Sequence, residues 1–467
     1  MKKFLPLSLL AGLLALTIGC GGGATSGGGT QPGSGSVFVT GEDAPVSSVV
    51  AFNITINRIA LNNSSGSVTV LSTPTAVDFA RLVGLRSLLG FNTIPAGTYN
   101  SATFTFEASS PAPSIHYLDL TTTPPSLGTK AGTLSGPTVT VSFPAGAPLV
   151  VGSNGLAGLH MDFDLRQSLA VDGSGQITGV INPTVDVMAV SASDDLGQIT
   201  DFLGSVMSVN AAGNTFTMQG PYGFQRTIEV NSQTVFNGTF TLANLPANAM
   251  VTLIGDMQLD GSILASSVEV ITTDRAFISG RILAVNPATG PVQTVTMFVG
   301  EELPNLSPTV PVDTVYTVDL SGLSDSQYDI CFFDNWLTGQ LFNSSSLVVG
   351  QRILVGGTFG SATFTPSMVS LRRQGVVGSL VSGSVNVTGG AGSNLGDFHM
   401  QNDALMSYSA GGPFTVYTGD LTRFVNIDGL AGLQAAGSAN LISRGLVFKD
   451  PVTSKPVVVA GRVRVLP

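Results

Sequence analysis

Beyond residue 35 the apolar residues of this chain recur with period two, and that alternation narrows the possible folds more than any other feature. Val37 and Val39 alternate with Phe38 and Thr40, and Phe52, Ile54 and Ile56 alternate with Asn53, Thr55 and Asn57. The pattern returns at 68–71, 102–106, 139–143, 161–165 and 185–190. Successive side chains of a strand point to opposite faces, so this period describes strands and not helices. Short β-branched runs set between clusters of Gly, Pro, Asn and Ser are expected to form antiparallel sheets, packed as sandwiches or closed into barrels. One stretch departs from the rule. Val77, Leu82, Leu85, Leu88 and Leu89 fall near helical spacing, which predicts a helix over 76–89 with Gly84 as its weak point.

Composition sharpens the class. Only 10% of the 467 residues are charged, against about 25% in ordinary soluble domains. The net charge is −10 and lysines number five, so the chain lacks the basic face that a nucleic-acid partner requires. With 43% hydrophobic residues it is not a disordered chain. At roughly 100–200 residues per domain, three or four domains are expected, each able to bury a core.

The first residues carry an address. Lys2 and Lys3 precede an apolar run over 4–18, shorter than the roughly 20 residues of a membrane span and suited to the centre of a secretory signal. The run ends at Leu16-Thr17-Ile18-Gly19-Cys20, followed by three glycines. It resembles a bacterial lipoprotein signal, although that family's usual leucine three places before the cysteine is here Thr17. The resemblance implies a signal peptide over 1–19, cleavage before Cys20 and a lipid on its sulfur that anchors the chain to a membrane. Gly21 in place of Asp at the second mature position implies the outer membrane or cell surface of the envelope rather than the inner membrane. Residues 20–35, mostly Gly, Ser and Thr, are expected to be a flexible tether. With Cys20 lipidated, Cys331 has no intramolecular partner. Its context, Ile330-Cys331-Phe332-Phe333, predicts a buried thiol.

The segment Ser36-Val37-Phe38-Val39-Thr40-Gly41-Glu42-Asp43-Ala44-Pro45 resembles the opening of domain-of-unknown-function family 4382, with Glu42 as an insertion before the Asp-Ala-Pro turn. Ile94-Pro95-Ala96-Gly97-Thr98-Tyr99 and the segment Phe163-Asp164-Leu165 through Ser168-Leu169 resemble later motifs of that family, in the same order. The resemblance implies a β-sandwich of transthyretin or immunoglobulin type over 36–192, and no reaction. The remainder reads as three diverged β units over 198–273, 276–373 and 376–467. These resemble domain-of-unknown-function family 5666, small barrels of oligonucleotide/oligosaccharide type. The second unit carries a long insertion over 300–343, and the third matches least. Repeats at such spacing suggest a string of beads, each with its own core.

Chemistry is sparse. The three histidines (His116, His160, His399) are too few and too scattered for a histidine-based metal cluster. The chain contains no nucleophile elbow, Walker loop, His-Glu-x-x-His or Cys-x-x-Cys motif. The best polar constellation is His160-Met161-Asp162-Phe163-Asp164-Leu165-Arg166. On a strand, His160, Asp162, Asp164 and Arg166 share one face. His160, Asp162 and Asp164 are the metal candidates. The plainer reading is a solvated strand face with Arg166 pairing an aspartate, because Arg166 would repel a cation. Asp43 reads as a turn residue that accepts backbone N–H bonds. Flat aromatic rings stack on sugars, so Trp336, Tyr328 and Tyr222 are candidate glycan contacts, each also readable as a hydrophobic anchor. The expectation is an all-β, lipid-anchored envelope protein of structural, adhesive or interaction role, without cofactor or catalytic residue. Its partners would be the membrane and possible envelope polysaccharide or proteins, not nucleic acid. The alternatives are a carbohydrate-binding surface module and a hydrolase built on the sandwich.

Overall fold

A computed structural model describes residues 33–466 apart from 45–47, 83–84, 120–125, 175, 221–224, 274–275, 304–309, 332–341, 362, 391 and 403–412. The protein is all-β, and Gly33–Pro467 forms one compact unit. Among the described residues no helix is long and apolar enough to cross a membrane.

The first part is a sandwich. One sheet runs in the order Val185–Val190, Leu156–Asp164, Ser34–Ala44, Ser87–Pro95, its two middle strands parallel. The facing sheet runs in the order Thr138–Ser142, Ser101–Phe106, Val49–Asn63, Ser114–Asp119, Ser126–Ala131. Alternate residues meet between them: Val37, Val39, Met161 and Phe163 from one side, Phe52, Ile54 and Phe104 from the other. Phe163 anchors this core. Its ring stacks on Phe79 at 4.7 Å, lies 5.4 Å from Phe52, and meets Phe106 edge-on at 5.7 Å. Such pairs add to what apolar burial alone contributes. The Ile94-to-Tyr99 motif closes a corner: both ends are buried, and the Tyr99 hydroxyl donates to the Pro95 carbonyl at 2.8 Å.

The helix expected over 76–89 is not there. The segment holds a strand, Thr75–Asp78, a single turn, Phe79–Arg81, and the start of the strand Ser87–Pro95. The reason is burial on both faces. Leu89 enters the sandwich core while its neighbour Leu88 enters the core of the next module, so the strand loses its alternation and imitates a helical period.

Three barrels follow, the first and third closed by strand pairing and the second, among the described residues, without a pairing between its third and fifth strands. The first is built from Ile199–Asn210, Thr215–Gln219, Gln225–Glu229, Met250–Met257 and Ile263–Thr272. Strands one and two, two and three, one and four, and four and five pair antiparallel, and a parallel pairing of three with five closes the ring. The third barrel, Gln374–Leu380, Gly396–Asn402, Phe414–Thr418, Asn440–Lys449 and Pro456–Val465, repeats every one of these pairings. Weak sequence similarity therefore hid a shared topology. In the second, Ala276–Asn286, Thr294–Leu303, Thr314–Asp319, Arg352–Phe359 and Phe364–Leu371 keep the same strand order. The stretch read as an insertion over 300–343 contains this barrel's third strand and also Tyr328–Ile330, a short strand parallel to its fifth. Val235–Phe236 and Arg423–Val425 hold the matching place in the other two.

A bulge in the fifth strand stands opposite a glycine of the fourth each time. Register shifts at Ile254/Gly255, Gly356/Gly357 and Arg444/Gly445. A Cβ on Gly255, Gly357 or Gly445 would sit 2.6, 2.2 or 1.9 Å from a carbonyl oxygen of the fifth strand. Only glycine lets the bulged backbone come this close.

The modules are not separate beads. Phe38 and Leu88 of the sandwich lie in the first barrel's core, and Leu446, Phe448 and Val457 of the third barrel lie in the second's. Leu203, Met250 and Ile271 pack on Phe277, Leu303 and Leu354 across the first and second barrels.

Candidate functional site

The polar constellation read from the sequence lies at a junction, not in solvent. Thr40 and Glu42 stand opposite His160 and Asp162 on neighbouring parallel strands. Period two puts all four on the sheet face turned away from the sandwich core. That face is covered by the last strand of the third barrel, which brings Arg462 and Arg464. His160 is 2% exposed, Glu42 1% and Asp162 8%, so the expected solvated face is corrected to a buried one.

Charge there is matched by residues from four parts of the chain. Arg462 lies 3.8 Å from Glu42, and Arg464 lies 3.6 Å from Asp162. Asp195, in the connection between sandwich and first barrel, meets Arg423 at 2.8 Å, Arg462 at 2.9 Å and Arg86 at 3.7 Å. Arg86 is itself almost fully buried and donates through Nε to the Gln198 carbonyl at 2.9 Å. Partners are needed here because an uncompensated buried charge is costly.

His160 sits in the middle as a neutral imidazole. Thr40 Oγ1 donates to the Leu196 carbonyl at 3.1 Å, which leaves the hydroxyl oxygen to accept from His160 Nδ1 at 3.1 Å. That tautomer turns a bare Nε2 toward Glu42 Oε2 at 3.8 Å, and neither atom has a hydrogen-bond partner. Burial, against the pull of Glu42, lowers the His160 pKa to about 4. Burial, then the charge of Glu42, raises that of Asp162 to about 7, against Arg464. Asp43 is pushed well above the usual carboxylate range by burial and by Asp162.

The metal candidates do not converge. Asp164 accepts from the Gln167 backbone at 2.9 Å and caps the short helix Leu165–Ser168, which carries Arg166 off the strand. Among the described residues no three His, Cys, Asp or Glu side chains gather to hold a metal ion. Asp43 is not a turn residue either. It ends a strand and accepts from the Leu165 backbone, far along the chain, at 3.3 Å. Tyr328 is 8% exposed and packs edge-on against Phe342 at 5.9 Å, so it is an anchor in a core and not an exposed platform. Cys331 is buried and in no disulfide, and its thiol donates to Glu269 at 3.8 Å. Cys20, Tyr222 and Trp336 lie outside the described residues.

Sequence reading missed Glu42, Arg86, Arg462 and Arg464 around His160, and Asp195 as the acidic partner of the arginines there. One signal was present: Arg462 and Arg464 alternate with Val463 and Val465 in an otherwise apolar strand, although arginine is rare in this chain.

No curated protein matches the sequence. Residues 34–178, which contribute Glu42, Arg86, His160 and Asp162 to the junction, match the model of a family described as Domain of unknown function (DUF4382).

Proposed function

We propose that the protein is a non-enzymatic, lipid-anchored component of a bacterial cell envelope, a preassembled all-β scaffold held at the membrane by Cys20 and presented to other envelope components. The observation that carries this reading is where the scarce charge goes. Glu42, Asp162 and Asp195 are engaged with Arg86, Arg423, Arg462 and Arg464 at the seam between sandwich and third barrel. That spends ionisable groups on joining modules. The anchor rests on the Gly19-Cys20 sequence with its Gly-rich continuation. Cys20→Ala is expected to abolish incorporation of radiolabelled fatty acid and to release the protein from the membrane fraction. Undiminished labelling would overturn the anchor.

A further inference from the structure

The strand Pro456–Val465 lies across the sandwich face that carries Thr40, Glu42, His160 and Asp162, and the seam it makes differs in kind from the others. Elsewhere the modules meet through shared apolar clusters. Phe38 and Leu88 enter the first barrel's core, Val50, Ala51 and Leu118 pack on Phe298 of the second, and Leu446, Phe448 and Val457 join the third to the second. Among the described residues no hydrophobic cluster contains residues of both the sandwich and the third barrel.

Charge closes this seam, and closes it loosely. Arg462 stays 3.8 Å from Glu42, Arg464 stays 3.6 Å from Asp162, and His160 Nε2 stays 3.8 Å from Glu42. All three exceed the roughly 2.7–3.2 Å of a made hydrogen bond. Glu42 Oε2, Asp162 Oδ1, His160 Nε2, Arg462 Nε and Arg464 Nη1 are buried without a hydrogen-bond partner in the protein. The short contacts go to Asp195 in the connection and not to the sandwich face, from Arg462 at 2.9 Å and from the exposed Arg423 at 2.8 Å. Desolvating paired charges can cost more than their attraction returns, and each buried polar atom left without a partner adds to that cost. Burial also lowers the His160 pKa to about 4 and raises that of Asp162 to about 7, penalties that end once water reaches the face. Opening is therefore cheaper here than at the apolar seams. The third barrel keeps its hold on the second meanwhile, through Leu446, Phe448 and Val457 and through Gln351 Nε2, which donates to the Val447 carbonyl at 2.9 Å.

We propose that the last strand is a polar strap: the third barrel lifts from the sandwich while every module stays folded, turning on its apolar seam with the second barrel and baring Thr40, Glu42, His160 and Asp162. The three histidines of the full chain report on this separately. His399 is exposed, His116 lies against Phe298 in the apolar seam between sandwich and second barrel, and His160 lies under the strap. The test is labelling with diethyl pyrocarbonate, which carbethoxylates unprotonated imidazole, at pH 7 with mass spectrometry as readout and His399 as reference. His160, although 2% exposed, should label at a rate nearly independent of urea below the unfolding transition, because lifting the strap uncovers little surface. Arg464→Met removes a contact to Asp162 and should speed His160 labelling about tenfold, with His116 and His399 unchanged. Asp195→Asn weakens the hold on Arg462 and serves if Arg464→Met fails to fold. The proposal is overturned by a His160 rate that climbs with urea as steeply as global unfolding, by no labelling of His160 short of that transition, or by an unchanged rate in a folded variant.

Discussion

His160 has four neighbours that set its state: Thr40 supplies the acceptor for Nδ1, Glu42 faces Nε2, and Arg462 and Arg464 cover the face. Its pKa of about 4 lies below the unfolded value of 6.5, so between these two the unfolded chain binds the extra proton. Stability from this residue is complete above pH 6.5 and lost as pH falls toward 4, by on the order of 3 kcal/mol. Asp162, raised to about 7, acts with the opposite sign and loses stability as pH rises from 3.8 through 7. Comparison of the parent with His160→Gln isolates the first effect. Urea unfolding at pH 7 and pH 4.5 should show the parent losing ground to the variant on acidification, and a pH-independent difference would refute the assignment. Arg462→Met strands Glu42 and one side of Asp195, so a loss of about 3 kcal/mol or more is expected in the same assay.

At the scale of elements, the third barrel tests how topology outlives sequence. Its fifth-strand bulge opposite a glycine, its closing parallel pair and its short accessory strand match the first barrel. Gly445 has the 459 carbonyl 1.9 Å from where a Cβ would stand, so Gly445→Ala must push the fourth and fifth strands apart. A cost above about 3 kcal/mol is expected, of the size seen for strain in well-packed interiors. Gly322→Ala, with open space around it, should change the urea midpoint little. The failed helix over 76–89 teaches the same lesson from the other side. Leu88 and Leu89 are apolar for two different cores, and a period count cannot tell a strand buried on both faces from an amphipathic helix.

For the whole molecule, the seams decide the behaviour. Sandwich and first barrel share Phe38 and Leu88, the second and third barrels share Phe448 and Val457, and the charged cluster returns the last strand to the first domain. Far-UV circular dichroism, which reports every strand, should therefore follow a single urea transition. Asp195→Asn combined with Arg462→Met should split it, as the third barrel unfolds ahead of the rest. Two separate transitions in the parent would mean that the seams contribute little.

Period two, glycine punctuation and the shortage of charge were enough to determine an all-β chain of several modules, because strand alternation is a local property written every second residue. His160 and Asp162 also stood out locally, as polar residues on a common face. What covers that face was settled only by the tertiary structure. Arg462 and Arg464 come from the opposite end of the chain, and a single sequence records which residues alternate but not which distant strand they will meet. The same limit separated the fourteen arginines in the sequence from the five that line two adjoining crevices where the sandwich meets the barrels. Ion pairs and crevices at a seam depend on how finished modules pack, and packing is decided by the whole surface of each and not by any one run of residues.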